Sequence, residues 1–510
     1  LMLLAVAFLA VGFVNQIFNA AATYFSQDVG WTATNSMRCD LAQHCLSLDM
    51  SFHNERTPGE MIERIEGDVN TLAEFALDLT FDDLPDPVVA FTQRCLLDVL
   101  GVAASGTTTD LSILIRQHAV EQFASGGRPA RLLFDGRPVS AAGATLAGGM
   151  TIDAIDAHDG HKLTKGHVGC GVVPAVLALG QAETIMESRE LLTMVAVGYE
   201  IGTRAGIAMH QTVPDYHSSG ASISLATAAL GARALGLDGR GLAEALGIAE
   251  YHGPRSQMMR VIDHPTMVKD GSGWGAMAGI SAAYLAANGF TGAPAITVKS
   301  PEVNDLWQDL GSNWRIFEQY FKPHPVCRWA QPAVEAALAL RQKHGLDGSE
   351  ISEIKITTFH EAFRLATVAP TCTEQAQYSL PFSVGAALAH GQLGVQEITK
   401  SGLTDQESLR LAAAITIVES PGFNAAFPAQ RFAQVSLICQ DGTTFVSPVT
   451  EPRGDPENHL SSAEINEKFH RLADPILGTH RAHALRSQVA ALSDGGETTT
   501  LLSLLTEPVA

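Results

Sequence analysis

The chain of 510 residues carries 33 Lys and Arg against 54 Asp and Glu, a formal net charge of −21. That balance excludes nucleic acid as a partner, because no general basic field exists to hold phosphates, and it obliges any anionic ligand to find a local cationic pocket. Seven scattered cysteines (Cys39, Cys45, Cys95, Cys170, Cys327, Cys372, Cys439), odd in number and without a CxxC pair, argue against a disulfide framework or structural zinc and read as a reducing cytoplasm.

Taken in chain order, residues 1–27 carry no charge, and 1–14 are continuously apolar. No basic stretch precedes them, so a signal peptide is disfavoured. A buried helix or a membrane helix remains, the latter diluted by Asn15, Gln16 and Asn19. Residues 1–27 are the candidate for membrane contact. The chain opens on Leu rather than Met, which reads as a truncated or misassigned start. A charged helical stretch, 37–75, completes the first zone.

Residues 76–320 are rich in Ala and Gly with repeated helical periodicity. Helices are predicted at 172–185, 190–209, 222–235, 241–249 and 275–287, separated by breaks containing Gly, Pro or Asp. Small residues at helix contacts permit close packing, so a helical bundle is expected. Residues 321–450 change character. The run 351–359 alternates with period 2, and 434–448 reads as a hairpin around Gln440-Asp441-Gly442. Helices return at 462–472 and 480–492. The expected fold is mostly α with a smaller α+β domain. An isolated N-terminal helical segment (1–75) precedes a large helical domain (76–320), an α+β lid (321–450) and a helical C-terminal part (451–510).

Chemistry concentrates at 153–174. His158, His161 and His167 lie among Asp153, Asp156 and Asp159, with Lys162 and Lys165 between them. Buried charges are costly unless paired, and histidine moves protons near neutral pH, so the cluster is a candidate acid/base site. The spacings His158-x2-His161 and His161-x5-His167 match no standard metal motif, so acid/base or substrate-binding use without metal is preferred over ligation. Phosphate-loop, nucleophile-elbow and zinc-helix signatures do not occur. Gly271-Ser-Gly273-Trp-Gly-Ala276 matches G-x-G-x-x-A without a preceding strand, and is read as a close approach of backbones. His217-Ser218-Ser219 precedes a small-residue helix whose N-terminus could attract a carboxylate; a serine cap explains it equally well. Lys269 precedes a glycine-rich helix start, and Lys322-Pro-His324-Pro-Val-Cys327-Arg328 opens the second domain, where a hinge could carry cations over a cleft.

Together these segments resemble the MmgE/PrpD family, which includes 2-methylcitrate dehydratase, cis-aconitate decarboxylase and iminodisuccinate epimerase. The likeness starts near Leu79. It rests on Ile155-Asp-Ala-His-Asp159 with Gly166-His167-Val-Gly169, Gly198-Tyr-Glu200, His217-Ser-Ser-Gly220, Lys269 to Gly273, Lys322 to Arg328, Tyr378-Ser-Leu-Pro-Phe382 and Arg453-Gly-Asp-Pro-Glu457, in that order. The resemblance implies a large helical domain made from both ends of the homologous region, a lid between them, a homodimer and no cofactor. It points to Asp156, His167, His217, Lys269 and Lys322; with the cluster's other histidines, the expected site takes Asp156, His167 and His217 as catalytic and His158, His161, Lys269 and Lys322 as substrate-binding. Gln331 and Phe382 depart from the histidine and tyrosine of many relatives, and leave the reaction open. Residues 1–75, with Met50-Ser-Phe-His-Asn-Glu-Arg-Thr-Pro-Gly59, resemble a fragment of an ABC exporter membrane domain and read as a fusion or annotation remnant without transport activity.

The expected function is a lyase or isomerase acting on a small di- or tricarboxylate by proton abstraction α to a carboxylate. The alternative is a membrane-associated transport or binding protein built on the N-terminal fragment.

Overall fold

The computed structural model describes residues 68–509. The apolar N-terminal helix, the exporter-like loop and the membrane contact expected at 1–27 lie outside the described residues.

Two cores organise the described chain. The first is helical. It is built by α1 (Asp86–Gly106), α2 (Asp110–Gln122), α3 (Ala141–Asp153), α4 (Gly169–Ala182), α5 (Ser188–Thr212), α6 (Gly220–Ala234), α7 (Gly239–His252) and α8 (Ser272–Ala287). Local chemistry sets several starts. Thr109 and Ser140 cap α2 and α3 by accepting from the backbone N–H three residues on, and Asp238 does the same for α7. Helix α1 is long and apolar enough to cross a membrane, but most of it is buried in this core.

Small residues let the helices interlock. A Cβ on Gly273 would lie 2.3 Å from the Leu146 carbonyl oxygen, and one on Gly275 would lie 2.0 Å from that of Gly220. The G-x-G-x-x-A run is therefore a seam where α8 meets α3 and α6. Gly275→Ala is expected to destabilise the protein by about 1–3 kcal/mol or more, since neither backbone has room to retreat. A lowered Tm in thermal denaturation checks it.

The second core is α+β. It comprises α9 (Gln331–His344), α10 (Leu380–His390), α11 (Gln406–Ala413) and a four-stranded sheet. Short pairs β1 (Ala130–Arg131) with β2 (Pro138–Val139), and β3 (Gly160–His161) with β4 (Gln319–Tyr320), precede it in the chain. The sheet has order β6-β5-β7-β8, from β5 (Ile351–Thr358), β6 (Ile415–Glu419), β7 (Ala433–Cys439) and β8 (Thr444–Val446). Its β5–β6 pair is parallel, and the others are antiparallel. Ile354 and Ile356 lie on the buried face of β5, alternating with exposed residues, and a register irregularity after Ile351 brings that side chain into the second core as well. Gly442, with φ +86°, turns the chain from β7 to β8 where the hairpin was expected.

The chain does not confine the two cores to separate stretches of sequence. Met258, Val261 and Ile262 belong by sequence to the first region yet pack into the second core. After the sheet, α12 (Ser462–Leu477), α13 (Thr479–Ala491) and α14 (Thr499–Thr506) return to the first core. Phe469 of α12 seats on α1 where Gly101 leaves space; a Cβ there would be 3.0 Å from the ring. Leu72 and Phe75 also belong to the first core, so it begins inside the segment assigned by sequence to the N-terminal fragment.

Candidate active site

Helix α3 ends at Asp153, and the chain then runs through an irregular loop to α4. This loop carries the acidic histidine cluster. Asp156 and Lys165 within it, and Lys269 before α8, are non-glycine residues with φ of +49°, +51° and +47°. Such conformations cost energy, and a surrounding structure must hold them. Here the holding is visible. Lys322 Nζ donates to the Asp156 carbonyl at 3.0 Å and to its Oδ1 at 2.8 Å. Lys468 Nζ of α12 donates to the Ala157 carbonyl at 2.7 Å and pairs with Asp98 of α1 at 2.6 Å.

The loop opens on a cleft between the two cores, with about 370 Å³ of empty space, solvent at its mouth included. The first core supplies Asp156, Lys165, His167, Asp270, Tyr320 and Lys322 to its wall; the second supplies Cys327, Arg328, Trp329, Tyr378 and Arg431. Four cations (Lys165, Lys322, Arg328, Arg431) face two carboxylates (Asp156, Asp270). This is the local cationic pocket that the net charge demands of an anion-binding protein.

His167 has a fixed tautomer. Its Nδ1–H donates to the Asp159 carbonyl, which has no proton to give, so the Nε2 lone pair is left free. Its backbone N–H donates to Ser219 Oγ at 2.9 Å, and Ser219 Oγ donates in turn to Asp270 Oδ2 at 2.7 Å. Asp270 Oδ2 lies 3.8 Å from His167 Nε2. Glycine admits the ring: a Cβ on Gly160 would lie 2.7 Å from His167 Nδ1.

Burial, and then the Lys322 ammonium, pull the His167 pKa down to about 3, so the imidazole is neutral in the free protein. Burial, and then the neighbouring Asp153 carboxylate, push Asp270 up to about 7. Burial likewise raises Asp159 to about 7, against the hydrogen bond from Tyr199. Burial would raise Asp156 as well, but Lys322 and Lys269 outweigh it and hold this carboxyl below the usual range. Neighbouring carboxyls are thus driven apart: one stays ionised, and others hold a proton near neutrality.

Two family models together cover most of the chain. Residues 70–305 match the MmgE/PrpD N-terminal domain, and residues 324–494 match the MmgE/PrpD C-terminal domain. The chain belongs to the MmgE/PrpD family. It is 23% identical over 491 residues to the cis-aconitate decarboxylase-like protein oryM of Aspergillus oryzae, covering 86% of this chain and 98% of that protein. It is 24% identical over 463 residues to cis-aconitate decarboxylase of Mus musculus, covering 84% and 91%. The corresponding figures for the Homo sapiens protein of that name are 23% over 460 residues, 83% and 92%. Residues 1–90 match the ABC transporter transmembrane region.

Of the residues singled out by sequence in this MmgE/PrpD chain, Asp156, His167 and Lys322 come together in the cleft wall. Lys269 sits just beneath it, with Nζ 4.5 Å from the centroid of the Tyr378 ring and donating to Gln377 Oε1 at 2.5 Å. His158 packs behind His167, ring centroids 4.2 Å apart, fully buried. His161 accepts from Thr164 N–H at Nδ1 and contacts Glu318 at 2.7 Å through Nε2, tying the loop to the stretch before β4. Neither His158 nor His161 lines the cleft.

His217 is also outside the lining. It pairs in an isolated bridge with Gln257, and adjacent side chains of extended backbone point to opposite sides. Its neighbour Tyr216 therefore takes the cleft side, with its hydroxyl donating to the Lys165 carbonyl. The start of α6 is not free for a ligand carboxylate either. Gly220 N–H donates to the Asp270 carbonyl at 3.1 Å, and Ser219 makes no capping bond because its hydroxyl serves His167 and Asp270.

Sequence reasoning missed Asp270, Tyr320 and Arg431. Asp270 stood inside the quoted Lys269–Gly273 segment, and a charged pair before a glycine-rich helix start was signal enough. Arg431 sits in unremarkable sequence.

Donor atoms of Asp156, His158 and His167 lie within 4.8 Å of one another, close enough to ligate a cation. The Lys322 ammonium already engages Asp156, and three more cations line the same cleft. A divalent ion there would meet repulsion on every side. Exhaustive chelation is expected to leave turnover unchanged. Loss with EDTA and recovery with one divalent ion would show the contrary.

Proposed function

We propose that the chain is a lyase that decarboxylates a small unsaturated tricarboxylate of the cis-aconitate type. The observation that carries this reading is the His167–Asp270 pair, a lone-pair nitrogen facing a half-protonated carboxyl, in a cleft with excess positive charge. The names of all three relatives point the same way.

Lys322 and the arginines hold substrate carboxylates by charge-assisted hydrogen bonds. The C–C bond to one carboxylate breaks, CO2 leaves, and the electron pair stays on carbon, spread into the conjugated remainder. The neighbouring cations stabilise that charge as it develops. Carbon then takes a proton, supplied by Asp270 and presented through His167. The bound polyanion offsets the lysine field that depresses His167, so the imidazole gains basicity only once substrate is in place.

The test is direct. The purified full chain is incubated with cis-aconitate, citrate, 2-methylcitrate and iminodisuccinate, and products are followed by NMR and CO2 release. CO2 with an unsaturated dicarboxylate is expected. Loss of water alone, or inversion alone, would move the reaction to dehydration or epimerisation, and no turnover of any of the four would sink the reading.

A pH profile tests the acid. Asp270 is competent while protonated, so kcat/KM is expected to fall as pH rises through about 7. Asp270→Asn should lower kcat and flatten that limb. The sign for stability follows from the same raised pKa. The group favours the fold fully below its unfolded value of about 3.9, and that contribution is lost as pH climbs to about 7.

A further inference from the structure

Arg431 is the least accounted-for charge near the cleft. It stands just before β7, so the second core carries it to the wall that both cores share. Its exposure is 3%, and its Nε and Nη1 are buried without a hydrogen-bond partner. Among the described residues no carboxylate pairs with it. The contrast with Arg328 is direct. Both guanidinium groups lie over the Tyr320 ring, at 4.5 Å for Arg328 and 5.6 Å for Arg431. Arg328 is satisfied by the Asp455 carboxylate and the Arg453 carbonyl. Arg431 has no such partner, and a buried cation is not kept without an anion to meet it.

We propose that Arg431 is a specificity-determining residue, whose guanidinium grips a second substrate carboxylate, apart from the one at Lys322. The proposal rests on the polycarboxylate reading above. A guanidinium donates strong, charge-assisted hydrogen bonds to a carboxylate, and its unpartnered Nε and Nη1 each have a donor to give. Tyr320 links the two ends of the site. Its ring lies 6.3 Å from that of His167, so the imidazole and the Arg431 guanidinium share one aromatic neighbour. Asp156 already pairs Lys322, so a monocarboxylate seated at Lys322 leaves the buried Arg431 guanidinium uncompensated, and one seated at Arg431 leaves the lysine without a substrate contact. The cleft therefore selects acids with at least two carboxylates. Because Lys322 precedes the second core and Arg431 belongs to it, such an acid bridges the two lobes.

The experiment compares the full-length wild type with Arg431→Gln and Arg431→Lys. Binding of cis-aconitate, and of an analogue with one carboxylate replaced by a carboxamide, is read by quenching of tryptophan fluorescence, since Trp329 lines the cleft. Turnover is read in parallel. Arg431→Gln is expected to raise KM for the tricarboxylate by about 30-fold or more, the usual consequence of truncating one partner of a buried charge pair. The kcat value should change little, since the contact is uniform across the reaction. The wild-type preference for the acid over its carboxamide should collapse towards unity, and Arg431→Lys should fall between. Removing an unpaired buried charge should leave Tm unchanged or raise it, whereas a purely structural role predicts a drop in Tm with the preference intact. A preserved preference in Arg431→Gln overturns the assignment. If the wild type neither binds nor turns over any polycarboxylate, the functional reading itself fails. If it does both and the variants match it, only the role of Arg431 fails.

Discussion

His167→Ala is expected to lower kcat by about 10²–10⁴-fold, the usual cost of losing a proton-transfer group, while the protein still folds. The imidazole is the only group in the cleft whose tautomer the structure fixes, through the Asp159 carbonyl, and whose free nitrogen faces an acid. The fold survives because the change removes one neutral ring and one hydrogen bond, at about 1–3 kcal/mol for the carbonyl left unsatisfied. Circular dichroism and Tm check the fold, and steady-state kinetics check the rate. His161→Ala is the informative control. Its ring ties the loop to Glu318 and stands outside the cleft lining, so its loss should appear as lowered stability before it appears in chemistry. Near-wild-type kcat in His167→Ala would make the cluster structural.

The second large effect concerns the Asp156–Lys322 pair. Both side chains are buried, at 2% and 1% exposure, and Nζ stands 2.8 Å from Oδ1. Lys322→Met strips a buried carboxylate of its main partner and is expected to cost about 3–5 kcal/mol. Asp156→Asn strips the lysine in turn. The double variant leaves no naked charge and should recover most of the lost stability, with a coupling well above the few tenths expected of independent sites. It should recover no activity, because the cation that meets substrate is gone. Denaturation midpoints for the four chains decide the matter. Additive losses would show that the two groups are held separately.

Much of this architecture was legible because it depends on local periodicity. Helices α4 to α8 begin within about three residues of where apolar spacing placed them, and β5 with the β7–β8 hairpin followed from alternation and the Asp441-Gly442 turn. The glycine run at 271–276 was legible as a close approach because glycine without a strand before it has few other uses. The lining of the cleft was only partly legible. His167 and Asp156 sit in a conspicuous cluster. Yet the side of the chain to which His217 points depends on a single-residue alternation, set by its bridge to Gln257, and no sequence pattern marks that. Arg431 was invisible for a different reason. Its meaning comes from a missing partner, and a sequence does not show which charges are left unpaired.

The Lys468 contact has a consequence for how this protein is made. Its ammonium joins Asp98 near the start of the described chain to the carbonyl of Ala157, in the loop where Asp156 adopts its unfavourable conformation. The three residues meet across 370 and 311 positions of sequence. A ribosome synthesising this chain releases Asp156 and His167 long before it reaches α12. Until that helix emerges and seats Phe469 on Gly101, the loop is held by Lys322 but not yet by Lys468, and Asp98 has not met its cation. A nascent chain therefore has most of its cleft residues early and its working geometry last.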